Sequence, residues 1–164
     1  MSNEMIIDSV SFARKNGALQ GKIAVEQLTR ASEYFTAKDG ELTFEIRGSL
    51  DQRKRPLLTL TVSGYVTLTC QRCLQAMRHE VDVAQGLRLV KDEAGLPRLD
   101  EEHDDIDVIV ADSKLNVLDL VEDEIILSVP LGPKHDFDCV ASDDKVNAQD
   151  GKRQPFATLA KFKQ

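Results

Sequence analysis

The 164-residue chain has no tryptophan, and only 5% of its residues are aromatic. So few rings exclude a large aromatic core and a row of stacking platforms for single-stranded bases. No apolar run approaches the roughly 20 residues that cross a bilayer. The opening Met1-Ser-Asn-Glu-Met5 has neither the basic nor the apolar region of an export signal. Three cysteines are too few and too odd a number for a disulfide scaffold, and point to a reducing cytoplasm. There is no phosphate-cradling glycine loop, no G-x-S-x-G and no pair of catalytic carboxylates on firm structure. Nothing requires an enzyme, a membrane or a small-molecule substrate, so no catalytic residue is assigned.

What is present is a long alternation. Leu58, Leu60, Val62, Gly64, Val66, Leu68 and Cys70 interleave with Thr59, Thr61, Ser63, Tyr65, Thr67 and Thr69. Side chains of a strand point alternately to its two faces, so this stretch is expected to be a strand with one buried side. Met77, Val81, Val83, Leu87 and Leu89 continue the pattern after a short connection, which makes an antiparallel hairpin. Gly64 and Gly86 interrupt its apolar face, where either would mark a bulge. Leu42, Phe44 and Ile46 before it, and Ile106, Val108 and Val110 after it, alternate in the same way.

Asn116 is a suitable N-cap, Asp119 sits in the first turn and Pro130 stops the run, which predicts a helix over 117–129. Its stripe is Leu118, Val121, Ile125 and Val129, widened by Leu120, Ile126 and Leu127, with Glu122-Asp-Glu124 facing water. A second helix is expected from about Ala24 to Phe35. Residues 1–21 show little pattern.

The expected fold is α+β: a curved antiparallel sheet of about four strands, near 41–47, 57–70, 76–90 and 106–110, with one amphipathic helix on its apolar face. The whole of 1–164 reads as one domain, with a mobile acidic loop over 91–105 and an irregular region over 131–164.

The connection of the long hairpin holds Cys70-Gln-Arg-Cys73, and His135-Asp-Phe-Asp-Cys139 follows the helix. Three thiols and an imidazole form a closed donor set typical of structural zinc, if the chain returns to the hairpin. Two other roles stay open: a redox or hydrolytic thiol pair at Cys70 and Cys73, and inert buried cysteines. A redox C-x-x-C usually sits at a helix N-terminus, whereas this one joins strands. His103, within an acidic run, is a weaker candidate.

Charge is uneven: 12 Lys/Arg against 10 Asp/Glu in residues 1–90, and 5 against 18 in 91–150. Arg53, Lys54 and Arg55 form the densest basic cluster and are candidates for phosphate contacts. Glu122, Asp123 and Glu124 are candidates for a basic partner, and Phe156 and Leu159 for an apolar one.

Leu68-Thr-Cys-Gln-Arg-Cys-Leu74, Val121-Glu-Asp-Glu-Ile-Ile-Leu127, Pro130, His135, Cys139 and Pro155-Phe-Ala-Thr-Leu-Ala-Lys-Phe162 occur in the order that resembles the YceD family. These are bacterial and plastid proteins linked to accumulation of 23S ribosomal RNA. Some relatives carry additional cysteines where this chain has His135 and Cys139. The resemblance implies a non-catalytic ribosome-biogenesis factor supporting synthesis, processing or stability of 23S rRNA during large-subunit assembly. It implies a ribosomal protein or a 23S rRNA precursor as partner. The alternative is a thiol-based redox or hydrolytic enzyme using Cys70 and Cys73.

Overall fold

A computed structural model describes residues 5–97 and 106–139. The elements are β1 (Ile6–Ile7), α1 (Ser9–Arg14), β2 (Ala18–Ala24), β3 (Glu41–Leu50), β4 (Pro56–Thr69), β5 (Ala76–Val90), β6 (Ile106–Val110), β7 (Leu115–Asn116) and α2 (Val117–Ser128). The class is α+β, as expected, but the sheet is not the four-stranded antiparallel one. Its order is β2-β3-β4-β5-β6, and β1 and β7 form a separate two-stranded ribbon.

Two differences carry the correction. The fifth strand, β2, lies antiparallel to β3, with Leu19, Gly21 and Ile23 opposite Ile46, Phe44 and Leu42. The glycine weakens its apolar signature in the sequence, yet a Cβ there would stand 2.8 Å from the Phe44 ring, so the ring takes the missing side chain's place. The last strand, β6, runs parallel to β5. A parallel neighbour needs a crossover of about a dozen residues or more, and residues 91–105 are long enough to supply it.

The helix expected over Ala24 to Phe35 is instead the end of β2 followed by two 3-10 turns, Val25–Gln27 and Ala31–Tyr34. Of its expected stripe, Val25, Leu28, Ser32 and Phe35, the first two are buried and the last two half-buried. The α ladder is not formed, because the Ala31 N–H donates to the Glu122 carboxylate at 2.8 Å. A tertiary acceptor has taken the donor that a continuous helix would need.

In the long hairpin the register runs unbroken from Leu57↔Arg88 to Thr69↔Ala76, so neither glycine makes a bulge. Gly64 has φ +145°, and a Cβ there would lie 2.7 Å from Leu42 and 2.8 Å from the Glu41 carbonyl oxygen. Only glycine fits this crossing.

The sheet buries one face. Leu42, Phe44, Ile46, Leu58, Leu60, Val62, Val66, Leu68, Leu87 and Leu89 point into one cluster with Val117, Leu120, Val121 and Ile125 of α2. The alternate residues of β3 and β4, such as Thr43, Thr59 and Thr61, face solvent. Asn116 caps α2 by accepting from the Leu118 N–H at 3.1 Å, and Asp8 caps α1 by accepting from Ser11 at 2.7 Å. Leu127 departs from the expected stripe and is exposed. No helix among the described residues is long and apolar enough to cross a membrane.

The acidic face of α2 does not face water as expected. Glu122 and Glu124 are buried at 2% and 8% exposure. Glu122 is held by the Ala31 N–H and by Arg30 Nε at 3.2 Å, while Asp123 pairs with Arg30 Nη1 at 2.7 Å. Glu124 has no such cation among the described residues. Burial, with Asp107 and Asp123 alongside, holds its carboxyl above the ordinary value. A raised carboxyl pKa disfavours the charged folded form, so the cost is absent at low pH and grows as pH rises through the unfolded value near about 4.3. Glu124→Gln is therefore expected to raise the melting temperature at neutral pH. The gain should vanish in scans at about pH 3, below the ordinary carboxylate range.

Candidate metal centre

The connection between β4 and β5 is tight. The Leu74 N–H donates to the Cys70 carbonyl and the Cys70 N–H to the Gln75 carbonyl, both at 2.9 Å. Leu74 adopts a left-handed φ of +60°, which turns the chain back into β5. Cys70 and Cys73 are buried by this turn. The segment after α2 then returns to it: the Gln71 N–H donates to the Pro133 carbonyl at 2.7 Å. That contact delivers the next few residues to the thiols.

Sγ of Cys70, Cys73 and Cys139 and a ring nitrogen of His135 all lie within 4.8 Å of one another. Cys70 and Cys139 sulfurs are 3.6 Å apart, and Cys73 Sγ is 3.4 Å from His135 Nδ1. A zinc ion with bonds of about 2.3 Å to sulfur and about 2.0 Å to nitrogen requires tetrahedral edges of about 3.5–3.8 Å. The donor set fits that ion: the two shortest separations match those edges, and the rest, all within 4.8 Å, need to close by no more than about 1 Å. All three cysteines are unbridged.

Protonation follows the surroundings. Burial pushes the Cys70 thiol up, but N–H groups of Cys73, Arg72 and His135 and the side chain of Cys139 outweigh it and bring it down to about 5. Burial likewise opposes ionisation of Cys139, which Arg72 and His135 overcome. The Gln75 N–H favours a Cys73 thiolate, but burial and the two neighbouring sulfurs hold that thiol above its usual value. Hydrogen bonding to Cys139 raises His135 against the opposing effect of burial. Three thiols and an imidazole set close together, with Cys70 and Cys139 biased towards ionisation, make a site where a cation replaces protons.

Arg72, which the sequence offers only as a further phosphate contact beside the hairpin, belongs to this centre. Arg72 Nε donates to Cys139 Sγ at 3.1 Å, and Nη2 donates to the carbonyls of His135, at 3.1 Å, and Phe137. The guanidinium thus laces the returning segment to the hairpin and offsets thiolate charge. Its place inside the C-x-x-C was the available signal. The His135 ring also stacks on Phe137, centroids 4.6 Å apart.

Residues 58–163 match the family model described as large ribosomal RNA subunit accumulation protein YceD. The chain belongs to the YceD family. No solved structure matches it. The YceD match includes all four donor residues and Arg72, and begins just after the basic cluster.

That basic cluster forms the β3–β4 turn, at the opposite end of β4. The Asp51 carboxylate accepts from the Arg53 N–H at 2.8 Å, the Arg55 N–H at 2.9 Å and Arg55 Nε at 2.6 Å. The Arg55 N–H leads in keeping the Asp51 carboxyl below its usual value, against burial. Lys54 takes a left-handed φ of +59°, and the side chains of Arg53 and Lys54 are exposed. Among the described residues neither has a carboxylate within ion-pair distance. Of the expected acidic patch, only Asp123 is open to solvent. Phe156, Leu159 and His103 lie outside the described residues.

Proposed function

We propose that this YceD-family protein is a non-catalytic, cytoplasmic factor that supports 23S rRNA synthesis, processing or stability during large-subunit assembly, acting as one domain over 1–164. The family match over residues 58–163 carries the reading. Cys70, Cys73, His135 and Cys139 would hold one zinc ion, which when bound cross-links the segment after α2 to the hairpin. The protein's own hydrogen bonds, from Gln71 and Arg72, set the segment in place for it.

The direct contact is with rRNA phosphates at the β3–β4 turn. Arg53 and Lys54 project without carboxylate partners among the described residues, whereas Glu122 and Glu124 are turned inwards, which disfavours the acidic face as the docking surface. Phe156 and Leu159 add an apolar contact to a ribosomal protein on the precursor.

Charge reversal tests this. Arg53, Lys54 and Arg55 changed together to Glu should abolish co-sedimentation with large-subunit precursors and lower 23S rRNA in cells. Each phosphate contact to a single strand contributes about 0.7 to the log–log salt slope of binding, so losing three flattens it by about 2. Nuclease-resistant association with precursors, unchanged by the reversal, would place the contact on protein instead.

A further inference from the structure

A cleft of about 500 Å³ opens between the β3–β4 turn and the start of β6. Arg53, Arg55 and Arg88 line it, with Leu50, Leu57 and Ile106 as apolar walls. Leu57 is opposite Arg88, and Ile106 opposite Gly86, in the sheet register. These positions share the face turned away from the core, because side chains alternate and Leu58 and Leu87 point inwards. The cleft is therefore a solvent-face feature of the sheet rather than a gap in its packing.

Among the described residues its charge is mostly positive. Asp51, the only acid lining it among the described residues, already accepts from the Arg53 and Arg55 N–H groups and the Arg55 guanidinium. That arrangement holds Arg55 in one orientation. Arg53 and Arg88 have no ion-pair partner among the described residues. Guanidinium groups converging on one hollow suit a phosphate better than a single carboxylate, because each offers paired donors in a plane. The apolar walls add what a bare anion site lacks: Leu50 is 44% exposed beside the arginines. A sugar or base attached to the phosphate would cover it.

We propose that this cleft is a nucleotide-phosphate site, holding the phosphorylated end of an RNA strand between Arg53, Arg55 and Arg88, with its terminal sugar and base against Leu50, Leu57 and Ile106. A terminal phosphate carries more negative charge than an internal one and is flanked by only one sugar, so it enters a concave site that an internal phosphate meets only at the rim. The site deepens the RNA-contact reading above and rests on it for its biological meaning. Its chemistry is testable alone.

The test is binding of two fluorescent oligoribonucleotides of equal sequence, one with a 5′-phosphate and one with a 5′-hydroxyl. The phosphorylated strand is expected to bind about tenfold more tightly, the effect of one well-made charge-assisted contact. Arg88→Gln should abolish the difference. Arg53→Gln, in an exposed turn, should do the same if Arg88→Gln fails to fold. Lys54→Gln, outside the cleft, should weaken both strands alike. A nucleoside monophosphate that displaces the strand at equal concentration would assign the site to free nucleotides, and failure to displace would assign it to strand ends; either supports the cleft.

Equal binding of the two strands to the parent protein overturns the proposal. So does a preference that survives both arginine substitutions, or one that appears only after Asp100, Glu101, Glu102, Asp104 and Asp105 are neutralised, which would give the cleft to the chain's own carboxylates. Measuring 23S rRNA in cells carrying Arg88→Gln separates the two readings. Lost end preference with normal rRNA keeps the cleft and removes it from the proposed function.

Discussion

Replacing Cys70 with serine is expected to leave the purified protein with well under one zinc per chain and a melting temperature about 10 °C below the parent. A metal present at about a thousand times its dissociation constant stabilises the folded state by about 4 kcal/mol. In a chain of this length each kcal/mol moves the midpoint by about 2–4 °C. The loss at Cys70 is expected to be large. Its sulfur is fully buried and receives the Arg72 N–H at 3.4 Å, so serine loses the thiolate and leaves the nearby N–H donors poorly matched. A chelator should bring the parent down to the variant's midpoint and leave the variant unchanged. Elemental analysis that finds no metal in the parent, with melting indifferent to chelator, would remove the zinc from the proposed function.

Glu122→Ala should cost about 2–3 kcal/mol in urea unfolding, the range for breaking a buried pair, discounted because Arg30 is half exposed. Asp123→Ala, one residue along, should stay within about 1 kcal/mol, as exposed pairs do. The two carboxylates share Arg30 but not its surroundings. Glu122 also satisfies the buried Ala31 N–H, which has no other acceptor among the described residues once the side chain is gone. Equal and small losses at both positions would mean that the 3-10 segment holds its shape without α2.

The parts that sequence made legible are those whose physics is local. Alternation over residues 58–70 and 77–89 and the Asn116 cap each depend on near neighbours, and β4, β5 and α2 stand close to where those signals put them. The four metal donors were legible by chemical type, though 61 residues separate Cys73 from His135. What stayed hidden depends on distant partners. Nothing local to residues 24–35 says that Glu122 will claim the Ala31 N–H, and so a helical stripe became two 3-10 turns. Nothing in Ile106-Asp-Val-Ile-Val110 states its direction, because parallel and antiparallel strands alternate alike. Nothing local to Arg88 marks it out, and only the sheet register sets it opposite Leu57 and near the β3–β4 turn.

The length of β4 sets a distance. Its 14 residues run from Pro56, next to Arg55, to Thr69, next to Cys70, a span of about 40–45 Å at roughly 3.3 Å per residue. The arginine cleft and the cysteine-histidine centre are thus poles of one stiff ruler, held by a ladder paired along its full length. No small molecule reaches both. Anything that engages the two together must be a macromolecule, and its features must be spaced by that strand.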